Sequence, residues 1–147
     1  MEYLSCSAAI ELFDAWSPMR ASDLMNSEKR WSGEYSYLSL DNTQKNLASF
    51  CAKCVYVKGF IPETLPDIVS SDASRWLHID INNARLTSVV LDRYLMNAAP
   101  GSIALLDDYA HIGFEDTRNE VDDYIRQGKS YFSLEVLPTG QAMIEKV

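Results

Sequence analysis

The chain predicts an α/β fold whose sheet is mostly parallel and finishes in an antiparallel hairpin. Two apolar runs, Trp76-Leu77-His78-Ile79-Asp80 and Ser102-Ile103-Ala104-Leu105-Leu106-Asp107-Asp108-Tyr109, each end in acid and read as buried strands. Between them Thr87, Val90, Leu91, Tyr94, Leu95 and Ala98 recur at helical spacing, closed by Asn97, Pro100 and Gly101. Strand, helix, strand is a parallel βαβ unit with a right-handed crossover. Two further runs, 131–137 and 141–147, flank Pro138-Thr139-Gly140 and supply the hairpin. Because both strands of the βαβ unit point the same way, Asp80, Asp107 and Asp108 collect at the carboxyl edge of the sheet, where open α/β folds bind ligands.

The remaining elements follow in order. Ile10-Glu11-Leu12-Phe13-Asp14 is a short strand that also ends in acid, and an irregular polar stretch over 15–37 follows, broken by Pro18 and Gly33. Ser39 predicts a helix cap, with Asp41 in the first turn, where a negative charge suits the helix dipole, and a stripe of Leu40, Thr43, Leu47 and Phe50 behind it. Cys54-Val55-Tyr56-Val57-Lys58 alternates as a strand and stops at Gly59. Residues 63–69 predict a short helix interrupted by Pro66. Residues 115–127 carry Thr117, Val121, Tyr124 and Ile125 on one helical face, stopped by Gly128. No internal repeat or second composition appears, so 1–147 reads as a single domain.

Bulk composition narrows the function. Thirteen basic against twenty-one acidic residues give a net charge of -8, with no basic run to neutralise phosphates, so nucleic acid is not expected as a partner. Glu2 stands where a signal peptide would be basic, and no uncharged apolar stretch reaches bilayer length, so a cytoplasmic protein without membrane contact is expected. Three cysteines, Cys6, Cys51 and Cys54, are too few and odd in number for a disulfide framework, and Cys51 and Cys54 read as half-buried thiols. Leu137-Pro138-Thr139-Gly140-Gln141 reads as a plain turn between strands.

With these elements in place, the chain resembles a class I S-adenosylmethionine-dependent methyltransferase with a Rossmann-like sheet, of the macrocin O-methyltransferase type that methylates sugar hydroxyls. Ile10-Glu11-Leu12-Phe13-Asp14-Ala15-Trp16 is similar to the family's second strand, and Lys58-Gly59-Phe60-Ile61-Pro62-Glu63-Thr64-Leu65-Pro66 to its glycine turn and Glu-Thr-Leu-Pro. His78-Ile79-Asp80, Pro100-Gly101-Ser102 and Leu106-Asp107-Asp108-Tyr109 resemble the ends of its fourth and fifth strands. The resemblance implies a cofactor, S-adenosylmethionine, bound by Asp14, Gly59 and Phe60, and a divalent cation such as Mg2+ held by Asp80, Asp107 and Asp108. It also implies a small-molecule or sugar hydroxyl as acceptor; Asp80, at the cation, and His111, a candidate base by its own chemistry at the same edge, are then the expected catalytic groups. Where many relatives repeat an aspartate two residues after the first, this chain has Asn82, and Asn83 and Ala84 stand where an apolar residue and tyrosine are common. Nothing before Ile10 resembles the family's first strand and glycine-rich loop, so the sheet is expected to be partial. Strands two and four then pair directly, or residues 2–7 substitute, or a second copy pairs through the open sheet edge.

Read from residue chemistry alone, the same positions have plainer alternatives. Three clustered carboxylates repel and are relieved by a hard cation. Adjacent strand residues face opposite ways, however, so Asp107 and Asp108 can also diverge, one of them capping a helix. Asp14 can hold a ribose or simply be solvated. His111 has the pKa of a general base, yet a loop histidine commonly has no such role. His78 reads as a core or interface residue, Asp122 and Asp123 as solvated, and Trp16 and Trp31 as either pocket walls or core closure. Three functions follow: an S-adenosylmethionine-dependent O-methyltransferase, a non-catalytic or truncated binding or assembly module derived from one, or a metal-assisted hydrolase on the same sheet.

Overall fold

The computed structural model describes residues 10–49, 54–66, 75–128 and 131–147. Its strands are β1 (Ile10–Asp14), β2 (Cys54–Lys58), β3 (Trp76–Ile79), β4 (Ile103–Leu106), β5 (Phe132–Val136) and β6 (Ala142–Lys146). Its helices are α1 (Leu40–Leu47), α2 (Ala84–Val90), which runs on into a wider π-type turn over Leu91–Leu95, and α3 (Glu115–Gln127). Phe50 of the α1 stripe, Cys6, Cys51, residues 2–7 and the last part of the helix predicted at 63–69 lie outside the described residues.

The sheet comes in two pieces. β1 and β2 pair in parallel, while β3, β4, β6 and β5 form a second sheet in that order. β3 and β4 are parallel, with Ile79 opposite Leu106, and β6 is antiparallel to both β4 and β5. A mostly parallel sheet with an antiparallel finish is therefore what forms, but β1 and β3 do not pair directly among the described residues. Their carboxyl ends nevertheless line one cleft.

The helical stripe between β3 and β4 becomes the core. Thr87, Val90, Leu91, Tyr94, Leu95 and Ala98 are all buried, and most of them join Ile79, Ala104, Leu106 and Ile144 in one apolar cluster. Val121 of α3 is fully buried in the same cluster, with Tyr124 and Ile125 against it, as their spacing predicts. At α1, the Ser39 side chain accepts from the Asn42 N–H at 3.1 Å, so the predicted cap forms. The predicted helix at 63–69 differs: through Leu65 the chain makes tight turns, with Thr64 N–H on the Phe60 carbonyl and Leu65 N–H on that of Pro62.

The polar stretch 15–37 is tied down by two side chains. Asn83, only 1% exposed, caps α2 by accepting from Leu86 N–H at 2.9 Å, and its amide donates to the Asp23 carbonyl at 2.8 Å. Glu28, 5% exposed, accepts from Met25 N–H and from Ala84 N–H, placing a carboxylate at the start of α2, where free N–H groups favour negative charge. Trp31 stacks on Phe114 at 5.7 Å and so fastens the same stretch to the entry of α3. Replacing Asn83 by Ala removes a cap and a buried tether together. Chemical denaturation should show a loss of about 2 kcal/mol, and an unchanged midpoint would show that the tether is dispensable.

Candidate active site at the carboxyl edge

Strand ends build the site. A cleft of about 220 Å³ is lined by Phe13 and Asp14 at the end of β1, Gly59 and Phe60 after β2, and Asp80 and Asn82 after β3. Residues that lie far apart in sequence thus meet because the carboxyl ends of β1, β2 and β3 line one cleft. Asp14 is half-buried, and its Oδ1 accepts from the Trp16 N–H at 2.5 Å, so the carboxylate is held by the turn that follows it. Trp16 itself is buried and donates its ring N–H to Thr43 at 2.9 Å, closing the layer beneath rather than lining the cleft. At Gly59 a Cβ would sit 2.4 Å from Thr64 Cγ2, so only glycine permits the turn there. Phe60 is covered by the Arg20 guanidinium, 3.9 Å from its ring centre, and Arg20 in turn bonds Asp23 and Glu63.

The second half of the site lies one strand further on. β4 ends at Leu106, and the chain bends over 107–111. That bend removes the strand alternation that would send Asp107 and Asp108 to opposite faces. Asp107, Asp108 and His111 instead each offer a ligand atom within 4.8 Å of the others. Asp80 stands outside this trio, though near enough for its charge to act on Asp107 and Asp108. His78 is exposed rather than buried, 3.6 Å from Asp107 Oδ1, which corrects the core reading of that residue.

The hairpin turn is more than a connection. Gln141 Nε2 donates to Asp107 Oδ1 at 2.6 Å, and His111 Nε2 lies 3.1 Å from the Thr139 carbonyl oxygen. Ala110 N–H donates to the Gly140 carbonyl at 2.7 Å, and a Cβ at Gly140 would meet the His111 ring at 2.5 Å. The turn between β5 and β6 therefore grips the acidic bend at three points. Asp122, expected to be merely solvated, accepts a hydrogen bond from the Tyr109 hydroxyl and pairs with Arg118.

Electrostatically the bend is under load. Asp108 is 9% exposed, and its Oδ2 is buried without a hydrogen-bond partner. Burial, then the charges of Asp80 and Asp107, push its pKa up to about 6 against the partial relief from His111. Desolvation at the cleft and the Asp107 charge also raise the pKa of Asp80, whose Oδ1 accepts from Asn82 at 3.3 Å. Tyr35 was not marked by any sequence signal. It lines the cleft, and its hydroxyl is held neutral to higher pH by burial and by the charges of Asp80 and Asp108.

Solved structures similar to this one include two methyltransferases. The O-methyltransferase NovP superposes with a TM-score of 0.79 at 13% identity, over 97% of this chain and 62% of that one. The calicheamicin methyltransferase CalS11 gives 0.63 at 15% identity, over 93% of this chain and 60% of that one. The chain thus has a methyltransferase fold and spans about three-fifths of the length of these two enzymes. No protein-family profile matches it, and no curated protein matches it in sequence.

The raised pKa of Asp108 has a stability consequence. An acid whose folded pKa exceeds its ordinary value of 3.8 binds more protons folded than unfolded, so stability falls as pH rises through about 6 and stays lowered above it. In chelator, Asp108→Asn should exceed the parent in urea stability at pH 8 by up to about 3 kcal/mol, with the gap closing by pH 4. A difference independent of pH would remove Asp108 as its source.

Proposed function

We propose that the chain carries out S-adenosylmethionine-dependent methyl transfer to a hydroxyl of a small molecule or sugar, assisted by a divalent cation. The convergence of Asp14, Gly59, Phe60 and Asp80 on one carboxyl-edge cleft, on a methyltransferase fold, carries this reading. Asp14 would take the ribose hydroxyls, since its carboxylate keeps an oxygen that the Trp16 N–H does not use. Phe60 and Phe13 give the cleft apolar walls. The bound cofactor supplies an electrophilic methyl on a sulfonium, so the chemistry then needs chiefly alignment of the acceptor oxygen.

Asp107 and Asp108, with the charge of Asp80 acting on them from nearby, suit a divalent cation. The buried, unpartnered Asp108 Oδ2, and the burial and then like charges that raise the Asp108 pKa, are what a bound cation would relieve, and oxygen donors fit Mg2+. A cation held there would lower the pKa of a substrate hydroxyl. The groups able to accept the released proton are Asp80, exposed beside the cleft, and the free nitrogen of His111.

Calorimetric titration with S-adenosylhomocysteine, with and without Mg2+, tests the reading. Micromolar binding supports it, and absence of heat in a folded chain overturns it. Asp108→Asn should lower turnover at least about a hundredfold while the circular dichroism stays native. Undiminished turnover would end the cation role.

One observation favours a second reading. Among the described residues neither β1 nor β3 has a partner on the side away from β2 and β4. A non-catalytic assembly module would pair a second copy through such an edge. Sedimentation that stays monomeric across a wide concentration range would defeat it.

A further inference from the structure

We propose that Arg20 is an ionic strap across the cleft, closed over the Phe60 ring, and that a planar ring of the ligand must displace the Arg20 guanidinium to stack there. The inference rests on the cofactor-binding reading above, in which that planar ring is the adenine, and specifies how the cofactor gains entry.

Among the described residues that line the cleft, Arg20 is the one basic side chain, set against Asp14, Asp23 and Asp80. It comes from the polar stretch 15–37, whereas Phe60 and Glu63 belong to the turn after β2, Glu63 lying forty-three residues further along the chain. The Arg20 Nε donates to Asp23 Oδ2 at 2.6 Å, and Nη2 donates to Glu63 Oε1 at 2.8 Å. The guanidinium carbon stands 3.9 Å from the centre of the Phe60 ring. One side chain thus ties the polar stretch to the turn after β2 and covers an aromatic ring of the cleft.

Backbone on both sides is tied down, so the movable part is the side chain. Around Arg20, Met19 N–H bonds the Glu34 carbonyl and Gly33 N–H bonds that of Met19, both at 3.1 Å, while Asn83 holds the Asp23 carbonyl. After β2, Gly59 N–H bonds the Asp14 carbonyl at 3.0 Å and Thr64 N–H that of Phe60 at 3.1 Å. The strap is weaker than these supports. The Arg20 and Glu63 side chains are 35% and 55% exposed, and ion pairs open to water are weak and screened by salt. Asp23 lies on the same stretch as Arg20, so breaking the Glu63 contact lets the guanidinium swing aside without losing its Asp23 partner. While closed, it occupies the face of Phe60 on which a planar ring would stack. The strap therefore competes with the ligand, and apparent affinity is reduced by the fraction of time it is shut.

The full chain, Arg20→Ala and Glu63→Ala would each be titrated calorimetrically with S-adenosylhomocysteine at low and at high salt. Expected is binding about threefold tighter in either variant than in the parent, with a gain from salt in the parent that Arg20→Ala lacks. Glu63 is exposed and lies outside the cleft lining, so its variant should fold and keep the ligand contacts. Parent binding that neither substitution tightens would overturn the strap and leave the methyl-transfer reading standing. Binding by none of the three chains would overturn both. The ligand-free parent gives a readout that needs no variant: the Arg20 Nε–H proton resonance should be shifted upfield by the Phe60 ring and move back as salt rises. An unshifted resonance would overturn the strap whatever the titrations show.

Discussion

The parallel register of β3 on β4 is the constraint from which the site follows. Ile79 lies opposite Leu106, and the Asp107 N–H continues the ladder onto the Ile79 carbonyl at 3.0 Å. Both strands therefore surrender their last apolar residue to the core at the same level, and the next residues, Asp80 and Asp107, emerge side by side. Shifting the register by one residue would turn Ile79 and Leu106, both nearly fully buried, toward the other face. Core packing thus fixes where the negative charge must accumulate. Desolvation by burial and, after it, the neighbouring carboxylate charges raise the pKa values of Asp80 and Asp108, which is the cost of that placement.

The antiparallel finish answers part of that cost. β6 pairs with β4 through Leu106 and Ala142, so the turn preceding β6 necessarily arrives beside the bend that follows β4. Gln141, Gly140 and Thr139 then meet Asp107, Ala110 and His111 one after another. A hairpin anchored in the core is stiffer than a free loop, and a rigid support is what holds charged ligands within a few tenths of an ångström. The same pairing explains why the acidic bend can be irregular without being loose.

Periodicity made much of this legible. The stripe from Thr87 to Ala98, the face of α3 and the caps and stops are local signals, and apolar burial enforced them. The acids at the strand ends were visible for the same reason, since an apolar run broken by aspartate marks where a buried strand reaches solvent. What stayed hidden depends on contacts between distant residues. Nothing local distinguishes Glu28 from a solvated glutamate, because its role requires Ala84 N–H, fifty-six residues away. Asn83 looked like a departure from a family pattern, whereas its spacing to Leu86 is that of a cap. Gln141 and Thr139 read as turn residues because their partners lie on another strand. His78 misled because alternation does not say which face of a short strand is covered.

Local conformation separates the scaffold from the site. Among the described residues, three other than glycine adopt left-handed backbone angles: Trp16 at φ 43°, Tyr35 at 63° and Asn82 at 51°. Asparagine tolerates that region, but tryptophan and tyrosine do so at a cost of order 1 kcal/mol or more. Tyr35 and Asn82 line the cleft, and Trp16 turns the chain immediately after Asp14. Such angles persist only where surrounding contacts over-determine them, and those contacts are present: the buried Trp16 ring bonded to Thr43, Asn82 on Asp80, and the stretch before Tyr35 pinned through Glu28. The helices follow their local preferences, while the cleft is assembled against them by tertiary contacts. That division is expected where a binding surface must be shaped before its ligand arrives, because preorganised groups spend no binding free energy on ordering themselves.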